Sequence, residues 1–168
     1  EKYSSLPEFV VPSGVEQVEV RLNNGTVIKQ YCSERLWLGY RGQSVIPYLL
    51  QSALMALENW LIIIAEQPEH QDSLKVIFHY ILKNSNSVMP TAVLASVATG
   101  FPDTLGKAAL PILRTKEFYD LDLKRANHEQ GEKEISWFDG LFDPLGDYYA
   151  AERGKAATRP WRKENLED

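Results

Sequence analysis

Between Val45 and Ala65 the chain runs for 21 residues with a single charge, Glu58, and this run limits the possible folds more than any other feature. Pro47 suits the first turn of a helix and Pro68 cannot continue one, so the two prolines bracket a helix of about 20 residues, roughly 30 Å long. The run is also long enough to be read as a membrane span. Its polar residues argue against that. At about 100° per residue, Gln51, Ser52, Glu58, Asn59 and Glu66 fall within a wedge of roughly 120°, leaving one polar edge and a very broad apolar face. A carboxylate near mid-bilayer would cost about 2.5–3.5 kcal/mol on insertion scales. We therefore expect a central core helix, with Glu58 facing solvent or paired with an arginine, Arg41 being one candidate.

What surrounds this helix is mostly helical too. Leu74, Ile77, Phe78, Ile81 and Leu82 form a stripe at i, i+3, i+4, i+7 and i+8, closed by Asn84-Ser85-Asn86. Ser87 and Gly100 suit the N-cap and the C′ stop of a third helix over 88–99, whose Ala92, Ala95 and Ala98 permit close approach of neighbours. A fourth helix is expected after Pro102, with Leu105, Ala108, Ala109, Ile112 and Leu113 repeating the five-position stripe and Pro111 bending it. Thr115 is placed to cap a fifth, running to about Glu129 on a thinner apolar face of Phe118, Leu121 and Ala126. The two stripes start 31 positions apart, which suggests stacked helix pairs. The expected fold class is mainly α, either helical repeat-like (HEAT-like or TPR-like) or an irregular helical bundle, preceded by an N-terminal β-hairpin.

That hairpin pairs Val15–Leu22 with Thr26–Tyr31 through the turn Asn23-Asn24-Gly25. A lone hairpin is marginal, so it must lean on something, and Trp37–Tyr40 and the long helix are the nearest supports. The chain thus divides into an extended lead-in and hairpin (1–43), a helical core (44–130) and an irregular C-terminal segment (131–168). In the last, a short helix is expected from Asp143-Pro144, and Trp137 and Phe138 read as anchors. At 168 residues and 44% hydrophobic content one domain with a real core fits. The first residues hold no signal-peptide pattern and the last form a charged run, so we expect a fragment of a larger protein.

Signs of chemistry are few. The chain has no GxxxxGK[ST] or GxGxxG phosphate loop, and Gly42-Gln43-Ser44-Val45-Ile46 misses the GxSxG elbow at its last position. His70, His79 and His128 lack metal-ligand spacing, and Asp139, Asp143 and Asp147 match no calcium loop and read as caps and solvated charges. We expect no cofactor, no metal and no catalysis by this chain alone. A small-ligand pocket or enzyme site around Glu58, His79 and Tyr80 remains an alternative, since a carboxylate on an apolar helix can be tuned as an acid or base. The lone Cys32 fits a reducing, cytoplasmic setting.

Charge is distributed unevenly. From Glu117 to Asp147 nine acidic residues face three basic ones, whereas Arg153, Lys155, Arg159, Arg162 and Lys163 run without an acid among them. The tail is expected to dock within the protein, against the acidic stretch or a neighbouring domain, and Trp161 among these cations is the kind of residue that anchors an interface. Trp37, Tyr40, Arg41, Arg153, Arg159, Trp161 and Arg162 are the candidate interaction surface. The expected partners are other domains of the same polypeptide or a separate protein. With a net charge of −5, neither a membrane nor nucleic acid is expected.

Three segments carry a family resemblance: Ser52–Leu61 (SALMALENWL), Thr91–Asp103 (TAVLASVATGFPD) continuing to Lys107–Arg114 (KAALPILR), and Glu152-Arg153 with Arg162–Glu167 (RKENLE). They resemble parts of very large bacterial STAND-type P-loop ATPases, some of which serve in antiviral defence. The resemblance implies a helical scaffold or signal-relay segment, with the nucleotide site in a separate module of the same protein. It implies no catalytic residue here. The alternative is a free-standing protein-interaction module.

Overall fold

The computed structural model describes residues 14–41, 44, 46–131, 151, 154–155 and 158–167. The expectations for the Asp139, Asp143 and Asp147 series, the anchors Trp137 and Phe138, Arg153 and the helix starting at Asp143 lie outside the described residues.

The fold is mainly α with an N-terminal hairpin. Strands β1 (Glu16–Arg21) and β2 (Val27–Cys32) pair antiparallel, with Val18 opposite Gln30 and Val20 opposite Ile28. Gly25 sits at φ +84°, which a side chain resists, and the turn closes with Leu22 N–H donating to Thr26 O at 2.8 Å. Val18, Val20 and Leu22 go to the core while their neighbours face out, the period-two pattern of a half-buried strand.

Seven α-helices follow among the described residues: α1 (Glu34–Leu38), α2 (Tyr48–Ala65), α3 (Gln71–Asn84), α4 (Val88–Gly100), α5 (Pro102–Leu105), α6 (Leu110–Leu113) and α7 (Lys116–Gly131). Helix α4 is the centre. Every residue from Thr91 to Ala98 is buried, and α1, α2 and α3 all pack on it. Ala92, Ala95 and Ala98 are interior, so the small side chains do let helices approach closely. Ser87 is its N-cap, as its sequence position suggested, accepting from Met89 N–H at 3.3 Å.

Several details depart from the sequence reading. The hairpin is tied chiefly to the α3–α4 turn and to α6, not to the long helix. Gln30 is fully buried there: its Nε2 donates to Ser85 O at 3.2 Å and its Oε1 accepts from Thr91 Oγ1 at 2.8 Å. Tyr31 N–H donates to Asn86 O at 2.8 Å and Asn23 Nδ2 to Lys107 O at 2.8 Å. The second five-position stripe is not one helix. It breaks into α5, a 3-10 turn over Gly106–Ala109, and α6, with Gly106 at φ +46° and Pro111 opening the last piece. The stripe at Leu74 therefore has no structural copy, and of the two expected architectures the irregular bundle describes these residues. At the start of α7 the Thr115 hydroxyl donates back to Pro111 O at 2.9 Å and the Thr115 carbonyl accepts from Phe118 N–H at 3.1 Å.

Helix α2 is the one described helix long and apolar enough to cross a membrane by length and composition. It packs on α4 through Leu54, Glu58, Leu61, Ile62 and Ala65. Buried Glu58 on the core-facing side distinguishes it from a simple lipid-facing helix.

Candidate functional site

The most chemically unusual place in the molecule is built where α2, α4, α7 and a C-terminal 3-10 turn (Pro160–Lys163) meet the 3-10 turn at Gly39–Arg41. Each element supplies a charged or polar side chain to a largely buried cluster. Glu58 is 1% exposed, so the expectation that it either faces solvent or pairs with arginine resolves to the second. Its Oε1 accepts from Ser96 Oγ at 2.6 Å and lies 3.9 Å from Arg41 Nη2. Its Oε2 accepts from Arg162 Nη2 at 3.0 Å and Arg159 Nη1 at 3.1 Å. Arg41, the partner suggested by sequence, is thus one of three.

A second carboxylate, Glu129 of α7, extends the cluster. It receives Arg41 and Arg125, the latter at 2.7 Å, and lies 3.4 Å from Arg162 Nη1. Arg125 is further held by Asp122, one turn back on α7, at 2.8 Å from Nε to Oδ1. Four guanidinium groups (Arg41, Arg125, Arg159, Arg162) therefore meet three carboxylates (Glu58, Asp122, Glu129).

The C-terminal segment is bound by main chain as well as side chain. Arg125 donates to the carbonyls of Arg162, at 3.0 Å, and of Glu164, while Leu166 N–H donates to Asp122 Oδ2 at 3.0 Å. Arg159 also donates to Asn59, the residue after Glu58. Trp161 lies flat over Gly100: a Cβ at that glycine would come within 2.7 Å of the indole. Gly100 is thus inside α4 and makes room for a ring, rather than acting as the C′ stop its sequence position suggested. Phe101 meets the same indole edge-on at 5.3 Å. On the far side Trp37 stacks on Phe118 at 5.1 Å and donates to Asp122 Oδ1 at 3.3 Å, joining α1 to α7.

Burial pushes the Glu58 carboxyl up, but Arg162, Arg41, the Ser96 hydroxyl and Arg159 together outweigh it and hold the group below the usual glutamate range. Arg162 is lowered from its ordinary value by burial and by like-charged Arg41. The two ends of one ion pair thus shift in opposing senses energetically: the carboxylate's fall favours the charged pair, the guanidinium's penalises it. Because an arginine does not lose its proton in a protein, the pair is ionic and the carboxylate's direction governs. Arg125 is raised despite burial, through its bonds to Asp122 and the charges of Asp122 and Glu129. Three buried donors, Arg41 Nε, Arg162 Nε and Trp161 Nε1, have no hydrogen-bond partner among the described residues.

Of the residues named as a candidate interaction surface, Trp37, Tyr40, Arg41 and Arg162 are buried, and Arg159 and Trp161 are half-buried against the body. What brings them together is contact within the chain: the basic tail does fold back, onto Glu58 as well as onto Glu129 of the acidic stretch. The alternative pocket is not assembled. Both oxygens of Glu58 are taken by Ser96 and arginines, no hydrogen bond or ion pair among the described residues joins it to His79 or Tyr80, and the Tyr80 ring is exposed on α3.

Sequence reading did not single out Ser96, Asp122 or Arg125, and it gave Asn59 and Gly100 other roles, a place on the polar edge of the long helix and a helix stop. Asp122, Arg125 and Glu129 carried a visible signal, acid-base-acid at i, i+3 and i+7, but such a ladder usually marks a solvated face. A cavity of about 280 Å³ opens beside the C-terminal segment 158–167, lined by Ala98, Pro102, Ala109, Leu113 and Leu166 with Glu164 and Asn165 at its polar side. Among the described residues no group of three His, Cys, Asp or Glu side chains is placed to hold a metal ion. Comparison with known protein families finds no family model that matches the chain, and no curated protein matches it either.

Proposed function

We propose that this chain is a non-catalytic helical scaffold or relay segment that works by contact, with the strap over residues 158–167 as its working part. The observation behind this reading is the way Glu58 is used: a buried carboxylate 1% exposed, which elsewhere would be a candidate acid or base, is spent entirely on Ser96, Arg41, Arg159 and Arg162. Charged networks of this kind define one geometry and contribute little net stability compared with an apolar replacement, so they suit a joint that must hold a set position. On the resemblance of its three segments, such a joint would belong to a larger STAND-type ATPase of the cytoplasm, a group in which some members act in antiviral defence. The partners are then other domains of the same polypeptide, and the nucleotide site lies in one of them.

Titration of the 168-residue chain with MgATP in a calorimeter tests the non-catalytic part. No heat of binding is expected, and micromolar affinity would overturn the reading. The same reading expects a P-loop encoded elsewhere in the same reading frame; an open reading frame without one favours the second reading, a free-standing protein-interaction module. The exposed apolar face of α2, with Leu49, Trp60 and Ile63 turned outward, is the observation that speaks for that second reading.

A further inference from the structure

Helix α2 has two apolar faces, and the described residues cover only one. The uncovered face carries Leu49, Ala53, Ala56, Trp60 and Ile63, all exposed, at successive spacings of four, three, four and three. Leu49 is 84% exposed, Ile63 54% and Trp60 48%, and Tyr48 and Leu50 widen the N-terminal end. No charged side chain lies on this face, since Glu58, the single charge in α2, points into the arginine cluster. Spacings that alternate four and three are those of a seam between two packed helices.

We propose that this face receives a second copy of the chain, α2 against α2, antiparallel about a two-fold axis passing near Ala56. Three observations select that occupant. The first is shape: the antiparallel alignment sets Leu49 across from Ile63, lays the bulky Trp60 over the small Ala53 and brings Ala56 to Ala56 at the axis, so that the same patch serves both copies. The second is charge. Helix α2 begins at Pro47 with no side-chain cap and no acid in its first turn, while Glu66 and Glu69, both exposed, follow its last turn. Antiparallel pairing carries the partner's acidic end to this uncapped, electropositive start, whereas parallel pairing would stack like charges. The third is area. Leu49, Trp60 and Ile63 scaled by their exposure leave on the order of 400 Å² per copy, about 800 Å² for the pair before the flanking Tyr48 and Leu50 add to it, the size of a weak, concentration-dependent interface.

Sedimentation equilibrium of the whole chain tests this directly. A dimer is expected at concentrations up to about 100 µM, and Ala56→Arg should weaken it at least tenfold, because the two-fold axis sets the new cations face to face. Ala56 is exposed, so far-UV circular dichroism of that variant should be unchanged. In a Cys32→Ser background, Ala56→Cys should cross-link to itself under mild copper-phenanthroline oxidation. Leu49→Cys should not, since antiparallel pairing holds the two copies of that residue about 20 Å apart along the axis. A wild-type chain that stays monomeric overturns the proposal. Flotation of that monomer with phosphatidylglycerol vesicles would then identify lipid as the cover, and protection of Trp60 from quencher without vesicles would identify the chain itself. Self-cross-linking of Leu49→Cys in place of Ala56→Cys would overturn the antiparallel arrangement.

Discussion

Glu58 shows how the energetics of a buried charge depend on its partners. Replacing it with glutamine keeps the shape and removes the charge that three arginines share, leaving an uncompensated cationic interior. Breaking a buried pair by removing one partner costs about 3–5 kcal/mol. We therefore expect Glu58→Gln to lower the urea-unfolding free energy by about 3 kcal/mol, while Arg159→Ala, at the rim of the cluster, costs about 1 kcal/mol. Gly100 is the other decisive residue. On helix propensity alone alanine there would stabilise by about 1 kcal/mol. A Cβ 2.7 Å from the Trp161 ring reverses the sign, and Gly100→Ala is expected to destabilise. In a Trp161→Ala background the same change should be neutral or stabilising, and chemical denaturation of the four proteins of this cycle checks it. The tail arginines on Glu58 and the indole over Gly100 were not readable from the sequence, because each lies more than sixty positions from the residue it meets. The polar wedge of α2 and the choice of Arg41 were readable, since helical periodicity reports which residues share an edge.

At the scale of elements, sequence periodicity succeeded where one helix packs on one side and failed where the backbone departs from regularity. The stripe at Leu74 became α3 because nothing interrupts it. The identical stripe at Leu105 became three short turns, because Gly106 takes a positive φ and Pro111 removes a helical donor. Helix α7 looked thin because two of the five described side chains it buries are polar: Asp122 and Arg125 take interior places that apolar counting ignores. The hairpin is fastened through Gln30, which reaches the last turn of α3 and the first of α4. Gln30→Leu would leave the Thr91 hydroxyl and the carbonyls of Leu82 and Ser85 with lost partners, at about 2 kcal/mol. Hydrogen exchange should show faster loss of protection in β1 and β2 than in α4.

For the whole molecule, the cluster makes acid the condition that releases the strap. Glu58 sits below its ordinary value of 4.5, so its contribution is complete above that pH and is lost as pH falls through the folded value. Near-UV circular dichroism of the tryptophans should hold from neutral pH to about 4.5 and collapse below it, while far-UV helicity falls later. Glu58→Gln should remove most of that early step. The charge asymmetry of the sequence pointed to a tail that docks, but spacing holds no information about which carboxylates receive which arginines once the chain has turned back on itself.

The strap also sets an order of events during synthesis. Glu58 and Arg162 are 104 positions apart, so at about 5–20 residues per second the carboxylate is made some 5–20 s before the arginine that completes its shell. Through that interval α2 and α4 can meet only around an acid with Arg41 and Ser96 for company. The shell of that carboxylate is therefore closed only by residues made near the end of this stretch of chain, Arg159 and Arg162.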